Sequence, residues 1–354
     1  MKALVLSGGT GSRLRPLTYT SAKQLIPVAN KPILFYAIES ILEAGIRDFG
    51  IVVGETGDEV RAAVGDGSRW GIKVTYIEQD APRGLAHAVK IAEPYLGQES
   101  FIMFLGDNLV KAGVTQFVRR FDEGRPNALI LLSRVPDPQR FGVAELRDGR
   151  VVRLVEKPRV PPSDLALVGV YLFDHHIQTA VNSIQPSGRG ELEITDAIQW
   201  LVEHGYLVEP HLVNDWWKDT GKPEDVLEAN RLVLELLQTN IRGSVSEDSR
   251  VIGRAVIEAG ARITGSVIRG PAVIGPGSVI SNSYIGPFTS IGPEVTVADS
   301  EIESSIVLEG STISGVQTRI DGSLIGKNVT ITRAEGKPRA IKLVLGDNSQ
   351  ASLA

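Results

Sequence analysis

The sequence predicts an α/β domain built on a mainly parallel sheet, followed by a parallel β-helix, and three observations lead there. Short β-branched runs alternate with helical patterns through the first two-thirds of the chain. After residue 237 aromatics almost vanish, and Gly, Ser, Ile and Val dominate. There, aliphatic residues recur every six positions, a period that neither a helix nor an exposed strand explains.

Within the α/β region, Ala3 to Leu6, Phe49 to Val53, Val74 to Ile77 and Phe101 to Leu105 read as strands. Pro32 to Ala44 reads as a helix with Ile33, Ala37, Ile41 and Ala44 on one stripe, stopped by Gly45. Gly84 to Leu96 reads as a second helix and Glu224 to Leu237 as the last. Within the repeat region, the opening aliphatic series is Val245, Val251, Ile257, Ile263. Another is Val273, Val279, Ile285, Ile291, Val297, and a third is Val307, Ile313, Ile325, Ile331, with Arg319 breaking it. Ile-Gly pairs recur at Ile252, Ile274, Ile285, Ile291 and Ile325. The expected division is residues 1–236 and 237–354, with the polar stretch Asp347 to Ala354 frayed.

Composition excludes several classes. The 354 residues carry a formal net charge of −5 and no basic tract, so nucleic acid is not an expected partner. There is no cysteine, which removes disulfides, thiol catalysis and cysteine-ligated zinc. No apolar run is long enough to span a bilayer, and the N-terminus lacks the pattern of a signal peptide. The expectation is a soluble cytoplasmic protein with no membrane partner.

The chemistry-bearing motifs sit where strands end, which is where parallel sheets keep their ligands. The first strand runs into Leu6, Ser7, Gly8, Gly9, Thr10, Gly11, Ser12, Arg13, Leu14, Arg15, Pro16. Its glycines let backbone N–H groups approach phosphate oxygens, and Arg13 and Arg15 add permanent charge. The segment lacks the Gly-Lys-Ser/Thr of a Walker A loop, and Leu14 replaces the last glycine of a dinucleotide fingerprint. Read alone, it serves equally as a Gly-rich turn. Lys23 suits a phosphate, or is a surface lysine. The Gln79 amide offers a donor and an acceptor side by side, matching the O4 and N3–H edge of thymine or uracil, and Gly84 lets a base lie against the backbone. His87 reads as structural rather than catalytic. Asp107 closes the apolar strand Phe101 to Leu105, either as a hard ligand for magnesium or as a turn cap. Glu156-Lys157-Pro158 and Trp217-Lys218-Asp219 are ambiguous alone.

Taken in order, these segments resemble one family, the sugar-nucleotide pyrophosphorylases, in the form that carries C-terminal hexapeptide repeats. The Gly8–Pro16 loop, Ser21–Pro27, Glu78-Gln79, Gly84-Leu85-Ala86, Gly106-Asp107-Asn108, Phe141-Gly142-Val143, Glu156-Lys157-Pro158, Gly188 to Asp196 and Trp217 to Gly221 carry the likeness. It implies a Rossmann-like nucleotidyltransferase domain and a left-handed β-helix. It also implies a reaction of glucose 1-phosphate with dTTP, giving dTDP-glucose and pyrophosphate. Implied nucleotide contacts are Leu6, Gly8, Gly9, Thr10, Gly11, Ser12, Arg13, Gln79, Gly84 and Asp107. Arg13, Lys23 and Lys157 would be catalytic, and Asp107 and Asp219 would hold Mg²⁺. Gly142, Glu156, Lys157 and Val168 would hold the sugar phosphate. Phe141 departs from the Tyr of many relatives and loses a hydroxyl; Ser7 replaces a common alanine.

Two anionic reactants must meet, so charge neutralisation and positioning carry such a reaction, and the attacking phosphate needs no general base. Rival readings are a UTP- or other-hexose-specific enzyme, an added acyltransferase activity in the β-helix, and an inactive regulatory subunit. The five histidines all precede residue 237, which weighs against acyl transfer, and the retained Arg13, Lys23, Asp107, Lys157 and Asp219 weigh against an inactive subunit. The β-helix is expected to serve oligomerisation.

Overall fold

The computed structural model describes residues 1–333, so the expected fraying of Asp347 to Ala354 lies outside the described residues. The chain forms two compact units. The first holds residues 1–11, 21–25 and 33–219, and the second holds 12–20, 26–32 and 220 onward. Helix Pro223–Leu234 therefore packs in the second unit, whereas the expected division at residue 236 puts it in the first domain.

The first unit is a nine-stranded sheet. Lys73–Glu78, Asp48–Val53, Lys2–Ser7 and Phe101–Leu105 are neighbours and run parallel. The first three extend the expected strands by a residue at one or both ends. In the central pair, Ala3 to Leu6 and Phe101 to Phe104 are apolar and buried because helices cover both faces. Leu165–Phe173 then runs antiparallel to Phe101–Leu105 and pairs with Ala128–Arg134 and Gly142–Arg147, so the far half of the sheet is mixed. All nine residues of Leu165–Phe173 are buried. Its pairing is interrupted between Leu167 and Tyr171, where Gly169 takes a φ of +81°.

Two apolar layers flank the sheet. Leu4, Met103, Ile130 and Tyr171 pack on one side with Ala86, Val89, Ile194 and Ile198. Val5, Ile51, Phe104 and Leu129 pack on the other with Leu34, Ile38, Ile41 and Phe117. Helix Ile33–Glu43 uses the expected stripe of Ile33, Ala37 and Ile41 but adds Leu34 and Ile38, and Ala44 falls beyond its end. The helix expected from Gly84 to Leu96 is two pieces, Leu85–Ile91 and Glu93–Leu96. Pro94 lacks the N–H that would continue the first ladder, so the helix restarts after Ala92.

The second unit is a left-handed β-helix of three parallel sheets with six, six and five strands among the described residues. Each inward residue stacks on one from the next coil, as Ile257, Ile274, Ile291, Val307 and Ile325 do down one wall. The second wall stacks Ile263, Ile280, Val297, Ile313 and Ile331, and the third Ile268, Ile285, Ile302 and Ile320. The middle aliphatic series expected from sequence thus begins one residue early. Ile274 and Ile280 enter the core cluster, and Val273 and Val279 do not. One wall of most coils advances five residues rather than six, so a strict hexad drifts out of phase. Arg319 breaks the series because Ile320 takes the inward place. The guanidinium lies outside, on Glu301 at 2.9 Å and Glu303 at 3.1 Å.

Serines at one corner hold successive coils together. Ser249, Ser266, Ser283 and Ser300 each accept the backbone N–H of Ser266, Ser283, Ser300 and Val316, respectively, at 3.0–3.2 Å. Ser266, Ser283 and Ser300 also donate to the carbonyl two residues back, at 2.6–2.8 Å. Asn230 on helix Pro223–Leu234 is fully buried and acts as a bolt inside this unit. Its Oδ1 accepts from Ala29 N–H at 2.8 Å and Ser290 Oγ at 2.6 Å, and its Nδ2 donates to the Phe288 carbonyl at 3.0 Å.

Candidate active site

The four parallel strands end together, and the residues that follow them form one rim. Ser7 pairs with Val53 and Val53 with Glu78, so Gly8, Gly54 and Gln79 emerge side by side. Leu6 pairs with Leu105, which brings Gly106 and Asp107 next to the same loop. Backbone bonds Gln79 N–H to Val53 O and Gly106 N–H to Leu6 O, both 2.9 Å, fix these exits. The approaches are close: a Cβ on Gly54 would lie 2.8 Å from the Gly8 carbonyl oxygen, and one on Gly106 would lie 2.9 Å from the Leu6 carbonyl oxygen. Gly54, absent from the residues expected at the site, is thus needed as a glycine. Its signal is present in the sequence, since it follows an apolar strand at the ligand end.

A cleft of about 470 Å³ opens here, lined among others by Gly8, Thr10, Gly54, Glu78, Gln79 and Pro82. Gln79 Nε2 donates to the Gly84 carbonyl at 3.2 Å and lies 3.0 Å from His87 Nδ1. Gly84 itself sits at φ +100°, and a Cβ there would come 2.3 Å from the Leu192 carbonyl oxygen. Gln24 is buried beneath the loop; a Cβ on Gly9 would lie 3.5 Å from its Nε2. Its Oε1 is a buried acceptor with no hydrogen-bond partner among the described residues.

Lys23, Asp107 and Asp219 converge. Lys23 forms an ion pair with Asp107 and lies 4.0 Å from Asp219. Its side chain is 8% exposed, against 20% for Asp107 and 22% for Asp219. The convergence follows from strand pairing: Trp217–Asp219 runs antiparallel to Asn108–Val110, with Asp219 opposite Asn108. Asn108 donates to Asp107 Oδ1 at 2.8 Å and accepts from Trp217 Nε1. Burial pushes the Asp107 carboxyl up, but the Lys23 ammonium and the Asn108 amide outweigh it and hold the group below the usual carboxylate range. Two carboxylates that share one lysine ammonium form a hard-oxygen donor set of the kind that suits a magnesium-like divalent ion.

A second cluster gathers on the mixed half of the sheet. Glu156 Oε1 lies 3.5 Å from Lys157 Nζ and 3.6 Å from Arg189. Arg189 in turn contacts Glu193 at 2.8 Å and Glu191 at 3.2 Å. Thr195 donates to Glu156 Oε2 at 3.4 Å. A Cβ on Gly142 would come 3.0 Å from that oxygen and 2.6 Å from Thr195 Cγ2, so only glycine fits. Burial raises the Glu156 carboxyl, and the Glu193 charge adds to it, while Lys157 and Arg189 offset part of the rise. Lys157 holds a φ of +40°, a left-handed conformation that turns it out of the strand. Phe141 packs edge-on against Trp217 with ring centroids 5.3 Å apart.

The other expected residues differ in burial and grouping. Arg13 is exposed on a short turn, Ser12–Leu14, that belongs to the second unit, as does Ser12. Val168 is fully buried in a core layer, so only its backbone is available to a ligand. Leu6 is 8% exposed. Arg189 and Thr195 lie inside the Gly188 to Asp196 segment, but sequence does not separate their roles because their partner Glu156 is distant in the chain.

Residues 2–235 match the family model for nucleotidyl transferases. The chain is 57% identical over 354 residues to a glucose-1-phosphate thymidylyltransferase of Streptomyces griseus, covering 100% of this chain and 99% of that one. It is 49% identical over 358 residues to the low-salt glycan biosynthesis nucleotidyltransferase Agl11 of Haloferax volcanii, with both chains fully covered. Among solved structures, a Bacillus anthracis protein described as a putative glucose-1-phosphate thymidylyltransferase in complex with sucrose superposes with a TM-score of 0.63 at 34% identity. That match covers 68% of this chain and 98% of the other. Among the described residues no helix is long and apolar enough to cross a membrane. The chain belongs to the nucleotidyl transferase family, among the glucose-1-phosphate thymidylyltransferases that carry a C-terminal β-helix.

Proposed function

We propose that this chain joins glucose 1-phosphate to dTTP and releases pyrophosphate, with Mg²⁺ as its metal. The observation that carries the reading is the meeting of Lys23, Asp107 and Asp219 at the rim of strands that also lines a glycine-rich cleft with Gln79. Gly8, Gly9, Thr10 and Gly11 receive the triphosphate on backbone N–H groups, with Ser12 and Arg13 continuing the loop. Gln79 and Gly84 take the pyrimidine edge, and Leu6 packs nearby. Lys23 neutralises charge at the α-phosphate. Asp107 and Asp219 would hold the divalent ion, which when bound draws charge from the phosphates. Lys157 grips the sugar phosphate, while Glu156, Gly142 and the backbone at Val168 orient the hexose. With both anions held, a phosphate oxygen of the sugar attacks the α-phosphorus in line and pyrophosphate departs.

The chain acts as a cytoplasmic homo-oligomer in this reading, with residues 1–236 as the catalytic domain and 237–354 as the hexapeptide-repeat domain. Thymine and uracil share the edge that Gln79 offers to read, so UTP is the nearest competitor. The test is a pyrophosphate-release assay with dTTP, UTP, CTP and ATP against several hexose 1-phosphates, with and without Mg²⁺. Turnover that requires the metal and favours dTTP with glucose 1-phosphate supports the proposal. Equal use of purine triphosphates overturns the role of Gln79.

A further inference from the structure

The amide of Gln79 is not free to turn. Its Nε2 faces the Gly84 carbonyl at 3.2 Å, and a carbonyl can only accept, so that end of the amide is the NH₂. The same nitrogen lies 3.0 Å from His87 Nδ1. Its second hydrogen needs a lone pair there, which an imidazole supplies when its proton sits on Nε2. The amide oxygen is left facing the loop, where a Cβ on Gly8 would lie 3.3 Å from it.

We propose that His87 is a positioning residue for base selection, accepting from the Gln79 amide so that Gln79 Oε1 stays turned toward the cleft. There the oxygen takes the N3–H of a 4-keto pyrimidine. Cytosine presents a lone pair at N3, which repels the amide oxygen. Protonated His87 becomes a donor at Nδ1. It then opposes the Gln79 NH₂, and the amide swings its oxygen away from the base. The inference rests on the assignment of Gln79 to the base and adds the residue that orients it.

The surroundings favour the neutral ring. The charged groups facing His87 are Arg83, Lys90 and Asp80. Arg83 and Lys90 line a cavity of about 330 Å³ with it, and the other lining residues, Pro186, Gly190 and Leu192, do not titrate. Arg83 is paired to Asp80 at 2.6 Å. Burial first, and then Arg83 with Lys90, hold the imidazole below its ordinary value, against Asp80.

The test compares wild type with His87→Asn, whose Oδ1 accepts in place of Nδ1 but does not titrate, and with His87→Leu, which cannot accept. KM and kcat for dTTP are measured from pH 7.5 down to pH 5. Both substrates carry phosphates that titrate in this range, and the comparison between variants cancels that effect. In wild type, KM for dTTP should rise by about fivefold more than in His87→Asn, the worth of one hydrogen bond. KM for glucose 1-phosphate should move in parallel in both. CTP use relative to dTTP should grow at low pH in wild type alone. His87→Leu should show a raised KM for dTTP at every pH. Because the variants can fail to fold, ¹⁵N NMR of the wild-type histidines gives a second readout. A bare Nδ1 at neutral pH supports the inference, and a protonated Nδ1 overturns it. Parallel pH profiles in wild type and His87→Asn overturn it while leaving the role of Gln79 intact. If no pyrimidine triphosphate is turned over by wild type, Gln79 does not read the base and both fail.

Discussion

Asp107→Asn separates the two things the carboxylate does. In the wild type it pairs with Lys23 on one oxygen and accepts from Asn108 at 2.8 Å on the other. An amide can offer its oxygen to only one of these donors and presents its NH₂ to the second. The Lys23 side chain is 8% exposed, and Asp219 at 4.0 Å would stay as a counter-charge. Removing one member of a buried pair costs about 3–5 kcal/mol when nothing replaces it. Here Asp219 remains and the site is partly open to water, so about 1–3 kcal/mol of stability should be lost. The catalytic loss should be larger, about a thousandfold in kcat or roughly 4 kcal/mol, because half the charge that would hold the metal is gone. Urea unfolding measures the first quantity, and pyrophosphate release at saturating substrates measures the second. Asp219→Asn and the double variant complete a cycle. Two carboxylates serving one ion should be strongly non-additive, with the double variant little worse than either single one. A kcat for Asp107→Asn above a tenth of wild type refutes the metal assignment.

Three further outcomes follow from the same geometry. Lys157→Ala should raise KM for glucose 1-phosphate by about tenfold or more with a smaller effect on KM for dTTP, as loss of a single phosphate contact would; equal effects on both substrates would argue that Lys157 holds the fold instead. Asn230→Ala strips the partner from Ala29 N–H, Ser290 Oγ and the Phe288 carbonyl at a fully buried point. At about 1–3 kcal/mol per orphaned group, the three together should lower unfolding stability by roughly 3–9 kcal/mol, and a loss under about 1 kcal/mol contradicts the bolt. Glu156 has a folded pKa raised chiefly by burial, so its charge opposes folding above that value and not below the unfolded one. Relative to Glu156→Gln, wild type should therefore lose stability as pH climbs from about 4 through the raised pKa, and a difference that does not change with pH excludes this.

The rim of the parallel strands is legible in the sequence because it rests on local signals. Apolar runs ending in Gly8, Gln79 and Asp107 point to one end of a sheet, whatever the rest of the chain does. The pairing of Asp219 with Asn108 is not legible, since it joins residues more than a hundred positions apart through a short antiparallel ladder with no distinctive composition. The β-helix announces itself through its period, yet the inward register slips at Val273 and Val279. Adjacent valine and isoleucine are equally apolar, and only the five-residue wall decides which one turns inward. His87 reads as structural because sequence shows a histidine beside a helix start and not the amide it faces.

The corner serines have a bearing on how this region changes length. Ser249, Ser266, Ser283 and Ser300 are each separated by 17 residues. Excising a whole period would splice one corner onto the next with every hydroxyl still matched to an amide, whereas removing three or four residues would leave an amide facing carbon. Insertions and deletions here should be quantised in whole turns of the spiral, and shortening it by one such step makes a direct probe of that rule.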